Sequence, residues 1–301
     1  MITKLSQIND AVKAKGKKML VAAYANDAHT IEATSLAVDA GIINATLVGD
    51  IETIKKVCAA ENIDVNKYTL VQESDETKAA ALAVSLINEG KGDILMKGLC
   101  STDKYMRAIL NKEKGLMPSA KAILSHVSVF EVPAYHKLLV TSDVAVIPAP
   151  DLNQKIAITN FCINIAHALG IEKPKVALIA ATEQMMPGMQ ACVDAAIIAK
   201  MGDRNQIKNA IIDGPFGLDV AIDEESVAIK KVASQVAGDA DCLVWPNIES
   251  GNVFYKTATK FANAELAALV VGAKVPCVLS SRGDSSQTKA YSIALAALMA
   301  K

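Results

Sequence analysis

The feature that most constrains this fold is the alternation of short apolar runs with longer stretches of helical spacing. Runs rich in alanine, valine, leucine and isoleucine lie at residues 19–24, 46–48, 68–71, 93–96, 122–129, 138–140, 145–147, 176–181, 242–245 and 278–279. Most of them are followed by a segment with the apolar periodicity of a helix. Ser74 is a candidate cap for the helix that follows the run at 68–71, and Gly251-Asn252 is predicted to open the helix after the run at 242–245. Strands that alternate with helices predict an α/β fold with mostly parallel, doubly wound sheets.

Length and composition favour the same class. A chain of 301 residues is too long for most single hydrophobic cores, so two domains are expected. Apolar residues make up 51% of the chain but aromatic residues only 4%, which suits helices packed on parallel strands that are buried on both faces. We predict two α/β/α domains, the first formed by residues 1–136 plus 276–301 and the second by residues 137–275.

The charge and hydropathy patterns exclude several kinds of partner. The formal net charge is -1 and no long basic or acidic block is present, which gives little support to nucleic-acid or anionic-membrane binding. No apolar run is long enough to span a bilayer, and the N-terminus begins with a polar amphipathic stretch rather than a signal peptide. We expect a cytoplasmic protein with no nucleic-acid or membrane partner.

Cysteine and histidine spacing argues against a metal site. The six cysteines are widely spaced without a Cys-x-x-Cys pair, so a zinc ribbon or a disulfide framework is not expected. We expect them to pack as small apolar core residues with free thiols. No His-x-x-x-His and no compact carboxylate cluster suggests a catalytic metal. A P-loop and a Gly-x-Gly-x-x-Gly after the first strand are also missing.

His126, predicted to end a strand and to face a cleft, is retained as a candidate, although a packed histidine is the alternative.

The stretch at residues 278–286 combines an apolar strand, a polar turn and a helix start. Ser281, Arg282 and Asp284 follow the last apolar run. Ligands of open α/β sheets bind outside the carboxyl ends of the strands, and a helix N-terminus offers free N–H groups and partial positive charge. The guanidinium of Arg282 matches phosphate oxygens. We therefore expect an anion site with Ser281 and Arg282 at the chemistry; the alternative is an ordinary turn with a surface arginine.

Other predicted strand ends carry similar residues. Lys97, Gly98, Ser101 and Thr102 lie between the fourth strand and its helix, where an ammonium, two hydroxyls and backbone N–H groups could hold a phosphate. Helix capping by Ser101 or Thr102 is the alternative. The corresponding residues of the second half are Asp151, Gly251, Asn252, Tyr255 and Lys256. Together these residues predict a cleft lined by the carboxyl ends of two sheets.

Three motifs resemble those of a known family. They are residues 143–148 with Pro150-Asp151, Gly251-Asn252 with Tyr255-Lys256, and residues 279–283. Together they resemble the phosphate acetyl/butyryl transferase family. The runs at 125–130, 135–137 and 97–99 look closer to its phosphate butyryltransferase branch. The resemblance covers nearly the whole chain and implies reversible transfer of a short acyl group between coenzyme A and inorganic phosphate. Acyl-CoA, phosphate and acyl phosphate would be the substrates and products, with no further cofactor and no metal.

The resemblance also implies an active site between two domains of isocitrate/isopropylmalate dehydrogenase-like architecture. Ser281 and Arg282 fall on the family's catalytic serine-arginine pair, and Thr102 falls on a phosphate-side threonine. Arg282 would bind the phosphoryl group and Ser281 would hydrogen-bond the reacting centre. The family's cleft motif falls on Asn252, Tyr255 and Lys256.

The general base is left open by the resemblance. In the acetyl enzymes an aspartate a few residues past the serine-arginine pair is proposed for this role, but Thr288 occupies the matching position here. Asp284 or Glu249 could substitute.

Three alternatives to butyryl transfer are considered. They are acetyl specificity, a related dehydrogenase, for which the metal-binding carboxylates are missing, and a non-catalytic coenzyme A-binding domain. A homodimer or higher homo-oligomer is expected.

Overall fold

The computed structural model describes residues 1–279 and 284–301, and these residues form an α/β fold. The strands, in chain order, are β1 (Lys18–Ala23), β2 (Ile43–Gly49), β3 (Tyr68–Gln72), β4 (Ile94–Lys97), β5 (Ser125–Glu131), β6 (Leu139–Ser142), β7 (Lys175–Ile179), β8 (Ile211–Phe216), β9 (Cys242–Val244), β10 (Glu265–Val271) and β11 (Cys277–Val278). The α-helices are α1 (Ile8–Lys15), α2 (Ala28–Asp39), α3 (Ile51–Ala60), α4 (Glu76–Asn88), α5 (Thr102–Leu110), α6 (Leu152–Ala168), α7 (Gln190–Asp203), α8 (Leu218–Ile222), α9 (Glu224–Lys230), α10 (Ile248–Phe261) and α11 (Ser286–Met299). The predicted α/β class with mostly parallel strands is confirmed.

The chain divides into two compact units. The terminal unit comprises Ser6–Leu124 and Leu266–Lys301, and the central unit comprises Met1–Leu5 and Ser125–Glu265. Each unit buries its own set of aliphatic side chains. The domain boundaries expected near residues 136 and 276 stay a prediction.

The terminal unit orders its strands β3-β2-β1-β4-β11-β10. Every neighbouring pair is parallel except β11 with β10. Ala23 of β1 pairs with Lys97 of β4, and Met96 of β4 pairs with Val278 of β11. The carboxyl ends of β1, β4 and β11 therefore lie side by side, and the turns that follow them leave the same end of the sheet.

The central unit orders its strands β5-β6-β9-β7-β8. Strands β5 and β6 are antiparallel, whereas β6, β9, β7 and β8 are parallel. Helix α6 packs on β6 and β9, and α7 packs on β7 and β8. Strands of this kind are buried on both faces, which explains why their sequences are nearly continuous apolar runs.

Side-chain caps determine where the helices begin. The sequence suggested Ser74 as the cap of the fourth helix, but α4 is capped by Asp75. Oδ1 of Asp75 accepts hydrogen bonds from the backbone N of Thr77 and of Lys78, both at 2.9 Å. The carboxylate satisfies two of the N–H groups that every helix leaves without an intrahelical partner, so the helix starts one residue later than a Ser74 cap would place it.

Two strand predictions are wrong. Residues 145–147 form a bend and not a strand, because the carboxylate of Asp143 accepts hydrogen bonds from the backbone N of Ala145, Val146 and Ile147 at 2.7, 2.9 and 3.2 Å. Strand β10 is missing from the prediction, which has a single strand after residue 261 where the structure has both β10 and β11. Their apolar runs are separated only by a short loop, so the pattern does not resolve them.

Candidate active site

A turn after β4 is joined to the end of β1 in the terminal unit. The backbone N of Gly98 donates to the carbonyl of Ala23 at 2.9 Å, and that of Leu99 donates to the carbonyl of Tyr24 at 2.8 Å. A Cβ atom on Gly98 would lie 2.3 Å from the oxygen of Tyr24. The glycine is required by this contact between two backbones, and the N–H groups of Gly98 and Leu99 are already used within the turn.

Lys97 and Cys100 have their side chains buried beside the same turn. Lys97 is 6% exposed, and its Nζ donates to the carbonyl of Gly98 at 3.1 Å. Cys100 is fully buried with its Sγ 3.6 Å from the oxygen of Ala23. Burial raises the pKa of the Cys100 thiol, which disfavours a reactive thiolate. The expectation that the cysteines pack as buried thiols is confirmed at all six positions.

Helix α5 begins at the end of this turn. The hydroxyl of Ser101 accepts a hydrogen bond from the backbone N of Lys104 at 3.3 Å, so Ser101 is the helix cap. Thr102 is the first helical residue and is exposed. The capping interpretation is thus confirmed for Ser101. Phosphate binding by Lys97, Gly98, Ser101 and Thr102 stays a prediction.

Helix α11 begins at Ser286, four residues after Arg282 of the predicted serine-arginine pair. Ser281 and Arg282 themselves lie outside the described residues, whereas Asp284 is described and half-buried. The hydroxyl of Ser285 accepts a hydrogen bond from the backbone N of Thr288 and donates to its Oγ1, both at 3.1 Å. Thr288 therefore belongs to the cap of α11, which fits the inference that it is not a base.

Two residues of α2 contact the first turn of α11 and were not found from the sequence. The hydroxyl of Ser286 donates to the carboxylate of Glu32. Nδ1 of His29 lies 3.4 Å from Oγ of Ser286 and 3.8 Å from Oε2 of Glu32. A carboxylate at this point is favourable because the N-terminus of a helix carries partial positive charge. A sequence pattern could not find this contact, because its two helices lie at opposite ends of the chain.

Asp143 organises the candidate residues of the central unit. It is 2% exposed, and besides the three N–H groups of the bend it accepts hydrogen bonds from Oγ of Ser125 at 3.0 Å and from the backbone N of His126 at 3.2 Å. His126 is 4% exposed and is the second residue of β5. The prediction that His126 ends a strand is wrong, because the strand begins only at Ser125.

Helix α10 starts earlier than the sequence suggested. It begins at Ile248, so Gly251 and Asn252 lie inside its first turns and do not open it. The helix is capped by Asn247, whose Oδ1 accepts from the backbone N of Ser250 at 3.0 Å. Glu249, one candidate base, is exposed in the first turn.

Gly251 and Asn252 pack α10 against the bend at Asp143. A Cβ atom on Gly251 would lie 2.2 Å from the backbone oxygen of Asp143. Nδ2 of Asn252 donates to the carbonyl of Val144 at 3.1 Å. A glycine is required at position 251 because the backbone of Asp143 lies so close. This packing contact, without any ligand, explains why the motif at 143–148 occurs together with Gly251-Asn252.

The remaining candidates of the central unit are placed by packing and capping. Tyr255 is 7% exposed, with its ring edge-on to Phe130 at 5.6 Å between centroids. Lys256 is exposed, and its Nζ lies 4.9 Å from the centroid of the Tyr255 ring. Asp151 caps α6 in a capping box with Gln154. Substrate binding by Asp151, Tyr255 and Lys256 stays a prediction.

The run at 135–137 takes part in a charged network at the amino ends of β6, β9 and β7. Asp239 contacts Nε2 of His136 at 2.9 Å, Nζ of Lys137 at 2.9 Å and Nζ of Lys175 at 2.7 Å. Burial by itself would raise the pKa of Asp239, but hydrogen bonds from Lys175 and Lys137 outweigh it and lower the pKa to about 2. This run therefore has a structural role in the central unit.

Comparisons with known proteins agree on one family. Residues 74–297 match the family described as phosphate acetyl/butaryl transferase. A phosphate butyryltransferase of Clostridium acetobutylicum is 45% identical over 300 residues, which is 100% of this chain and 99% of that protein. A phosphate acetyltransferase of Thermotoga maritima is 39% identical over 98% of this chain and 99% of its own length. The chain belongs to the phosphate acetyl/butyryl transferase family.

The fold agrees with this assignment. A crystal structure of a branched-chain phosphotransacylase from Enterococcus faecalis V583 matches with a TM-score of 0.81 and 33% identity, covering 94% of this chain and 98% of that one. As a member of the phosphate acetyl/butyryl transferase family, the protein is a phosphate acyltransferase, and the family's substrates are acyl-CoA and phosphate. The resemblance seen in the sequence motifs is confirmed.

Two further observations concern the described part of this transferase. None of its helices is long and apolar enough to cross a bilayer. Within residues 1–279 and 284–301, no group of three or more His, Cys, Asp or Glu side chains is placed to hold a metal ion. Metal-free acyl transfer stays a prediction from the chemistry.

Proposed function

We propose that this enzyme is a phosphate butyryltransferase, which reversibly transfers a short acyl group between coenzyme A and inorganic phosphate. The supporting observation is similarity to a butyryl enzyme at 45% identity over 100% of this chain, compared with 39% identity to an acetyl enzyme over 98% of it. The butyryl-like runs of the sequence point the same way. Acetyl specificity is the second candidate, because acetyltransferases are among the full-length relatives.

The phosphate would bind where β4 and β11 end. Their carboxyl ends are neighbours in the sheet, and helices α5 and α11 both start close to them in the chain. Helix N-termini favour anions, and Arg282 would add a guanidinium matched to phosphate oxygens. The exposed Thr102 would contact the phosphate from the first turn of α5.

The forward reaction would be attack of a phosphate oxygen on the thioester carbonyl, followed by cleavage of the C–S bond and release of coenzyme A as a thiolate that is then protonated. Phosphate is already ionised near neutral pH, so this step needs no base. Arg282 would offset the repulsion between the phosphate and the developing oxyanion, and Ser281 would hydrogen-bond the reacting centre. Loss of one oxyanion donor typically costs about 3–4 kcal/mol of transition-state stabilisation. Holding both substrates in one geometry supplies much of the remaining rate enhancement.

The reverse reaction needs a proton acceptor. A thiol with a pKa near ~8.5 is only a few per cent thiolate at neutral pH, so coenzyme A must lose its proton before or during attack on the acyl phosphate. Asp284 next to the cap of α11 and Glu249 in the first turn of α10 are the two candidate bases. A positioned carboxylate contributes roughly 10²–10⁴-fold.

The coenzyme A side of the site would use polar groups that the fold leaves accessible. Asn252 and Lys256 are exposed on α10, and we propose that they contact coenzyme A. Gly98 and Gly251 would act indirectly, by allowing the close backbone contacts that place the neighbouring turns. A homodimeric or higher assembly and a cytoplasmic location stay predictions.

A rate comparison across acyl-CoA lengths tests the proposal. With saturating phosphate, kcat/KM for butyryl-CoA should exceed that for acetyl-CoA by about tenfold or more, since each buried methylene contributes about 0.8 kcal/mol and butyryl has two more than acetyl. A higher kcat/KM for acetyl-CoA would establish the second candidate. Binding of coenzyme A without turnover of any acyl-CoA would contradict both.

A further inference from the structure

Lys289 is a buried lysine without a partner among the described residues. Lys97, Lys155 and Lys289 are each only 6% exposed. Nζ of Lys155 forms an ion pair with Asp194 at 2.6 Å, and Nζ of Lys97 donates to the carbonyl of Gly98 at 3.1 Å. Within residues 1–279 and 284–301, the side chain of Lys289 forms neither a hydrogen bond nor an ion pair. Lysine is almost never buried unless its charge is paired, so the structure lacks the counter-charge that Lys289 requires.

The position of Lys289 indicates where that counter-charge would lie. Lys289 is three residues after Ser286 in α11, so the two side chains are neighbours on one face of the helix. Side chains of a helix tilt toward its N-terminus. The stem of Lys289 therefore runs back toward the N-terminus of α11. This end of the helix follows β11 in the chain, and β11 is the parallel neighbour of β4 in the sheet.

The charges around this helix end leave room for an added anion. The N-terminal turn of α11 carries partial positive charge, and Lys289 adds a full one. Two acids lie close to this turn. Glu32 accepts a hydrogen bond from the hydroxyl of Ser286, and Nδ1 of His29 lies 3.8 Å from Oε2 of Glu32. Asp284 lies two residues before Ser286 in the chain. Glu32 forms no ion pair with Lys289 among the described contacts. Asp284 forms no ion pair with Lys289 either, so neither carboxylate is paired with this ammonium.

We propose that Lys289 is a phosphate-binding residue, whose ammonium donates a hydrogen bond to an oxygen of inorganic phosphate or of the phosphoryl group of the acyl phosphate. This inference rests on the proposed function, because it takes inorganic phosphate as the second substrate. It adds to Arg282 a second cation that approaches the anion from the buried face of α11. Lys289 is 6% exposed as a whole, and its Nζ is not among the fully buried polar atoms, so the buried stem leaves the ammonium within reach of an anion that arrives from solvent.

The test replaces Lys289 by methionine, which keeps the aliphatic stem and removes the charge. In K289M the KM for inorganic phosphate should rise about tenfold or more, the factor expected for loss of a hydrogen bond to a charged group. The KM for the acyl-CoA should stay within about twofold, and K289R should recover part of the phosphate affinity. The matched control is K55M, which removes a lysine charge from an exposed pair with Glu52 in the same unit. It should leave both KM values unchanged.

Two results would overturn the proposal. One is a phosphate KM in K289M that equals that of the wild-type enzyme. The other is a rise confined to the acyl-CoA KM, which would place Lys289 against the phosphates of coenzyme A. Should K289M not fold, K289Q replaces it with the same expectations.

The test separates this inference from the proposed function. The KM for phosphate is measured with whichever acyl-CoA the wild-type enzyme uses. A preference for acetyl-CoA would contradict the butyryl assignment, but phosphate binding by Lys289 would still be tested. For an enzyme without turnover, the increase in Tm caused by inorganic phosphate carries the test. That increase should be present in wild type and K55M and absent in K289M; an equal increase in K289M overturns the proposal.

Discussion

At the scale of single residues, several side chains that look chemical in the sequence have a demonstrable structural function. Gly98 and Gly251 are glycines because a backbone oxygen would lie 2.3 Å and 2.2 Å, respectively, from any Cβ. Ser101 and Asp151 cap helices. The candidate bases are different, because neither Asp284 nor Glu249 serves as a helix cap. Their role is therefore open to a direct kinetic test.

The first prediction concerns these two acids. Either Asp284→Asn or Glu249→Gln should lower the rate of coenzyme A attack on butyryl phosphate by roughly 10²–10⁴-fold, the usual contribution of a general base. In the opposite direction the same carboxyl group would protonate the leaving coenzyme A thiolate, and the equilibrium constant is fixed, so the catalytic efficiency of phosphate attack should fall by a similar factor. Initial rates in both directions measure this, and each variant is the control for the other. If both variants keep wild-type rates in both directions, the base is neither of these residues.

Hydrogen bonds made by single side chains also explain where residue-level prediction fails. The apolar run at residues 145–147 has the composition of a strand, yet Asp143 holds it in a bend by accepting its N–H groups. The contact of Glu32 with Ser286 joins helices from opposite ends of the chain. No local pattern contains either interaction, because both depend on where the fold brings a carboxylate. The motifs of the candidate site were recognisable only as a set, through their resemblance to a family.

At the scale of elements, the sequence predicts well whether a segment is a strand or a helix, but it predicts poorly at which residue the element begins or ends. The apolar runs of β1, β4 and β7 identify strands because parallel strands are buried on both faces. The first residue of a helix depends instead on which nearby side chain reaches the free N–H groups. At α4 that side chain is Asp75 and not Ser74. At α10 it is Asn247, which places Gly251 within the helix.

The second prediction tests the cap of α4. Asp75→Ala should lower Tm at pH 7, because two backbone N–H groups lose their acceptor, whereas Ser74→Ala should leave Tm unchanged. The hydrogen bond from the backbone of Lys78 lowers the pKa of Asp75. The stabilisation is therefore present above the pKa of an unfolded aspartate, about 3.9, and is lost as pH falls below it. Thermal unfolding at pH 7 and near pH 3 measures this. An equal effect of both variants would contradict the assigned cap.

At the scale of the whole molecule, the alternation of strands and helices was enough to predict the fold class. It did not predict which residues of the two units take part in the reaction. The predicted site residues are spread over both units: Lys97, Thr102 and Asp284 belong to the terminal unit, and Asn252 and Lys256 belong to the central unit. Only the family resemblance assigned them to one reaction. Folds of this class serve many activities, so the fold alone could not have identified acyl transfer.

The third prediction concerns the acid stability of the central unit. Lys175 and Lys137 hold the pKa of Asp239 at about 2, so its ion pairs stabilise the native state above the unfolded value of about 3.9 and are lost as pH falls toward 2. Asp239→Asn should therefore lower stability at pH 7, and the difference from wild type should shrink below about pH 4. Asp239 is 32% exposed, so solvent screening keeps the effect small. Urea unfolding across this pH range measures it, and a difference that does not change with pH would contradict the account.

We propose that Arg282, four residues after the end of β11 in the chain, binds phosphate for attack on a thioester. The most direct measurement is kcat/KM for butyryl phosphate formation by Arg282→Ala, with Tm and circular dichroism as controls for folding. We expect a loss of at least about 10³-fold, because the variant loses both phosphate binding and transition-state charge stabilisation, with an unchanged Tm. Wild-type turnover in a folded Arg282→Ala enzyme would contradict the account.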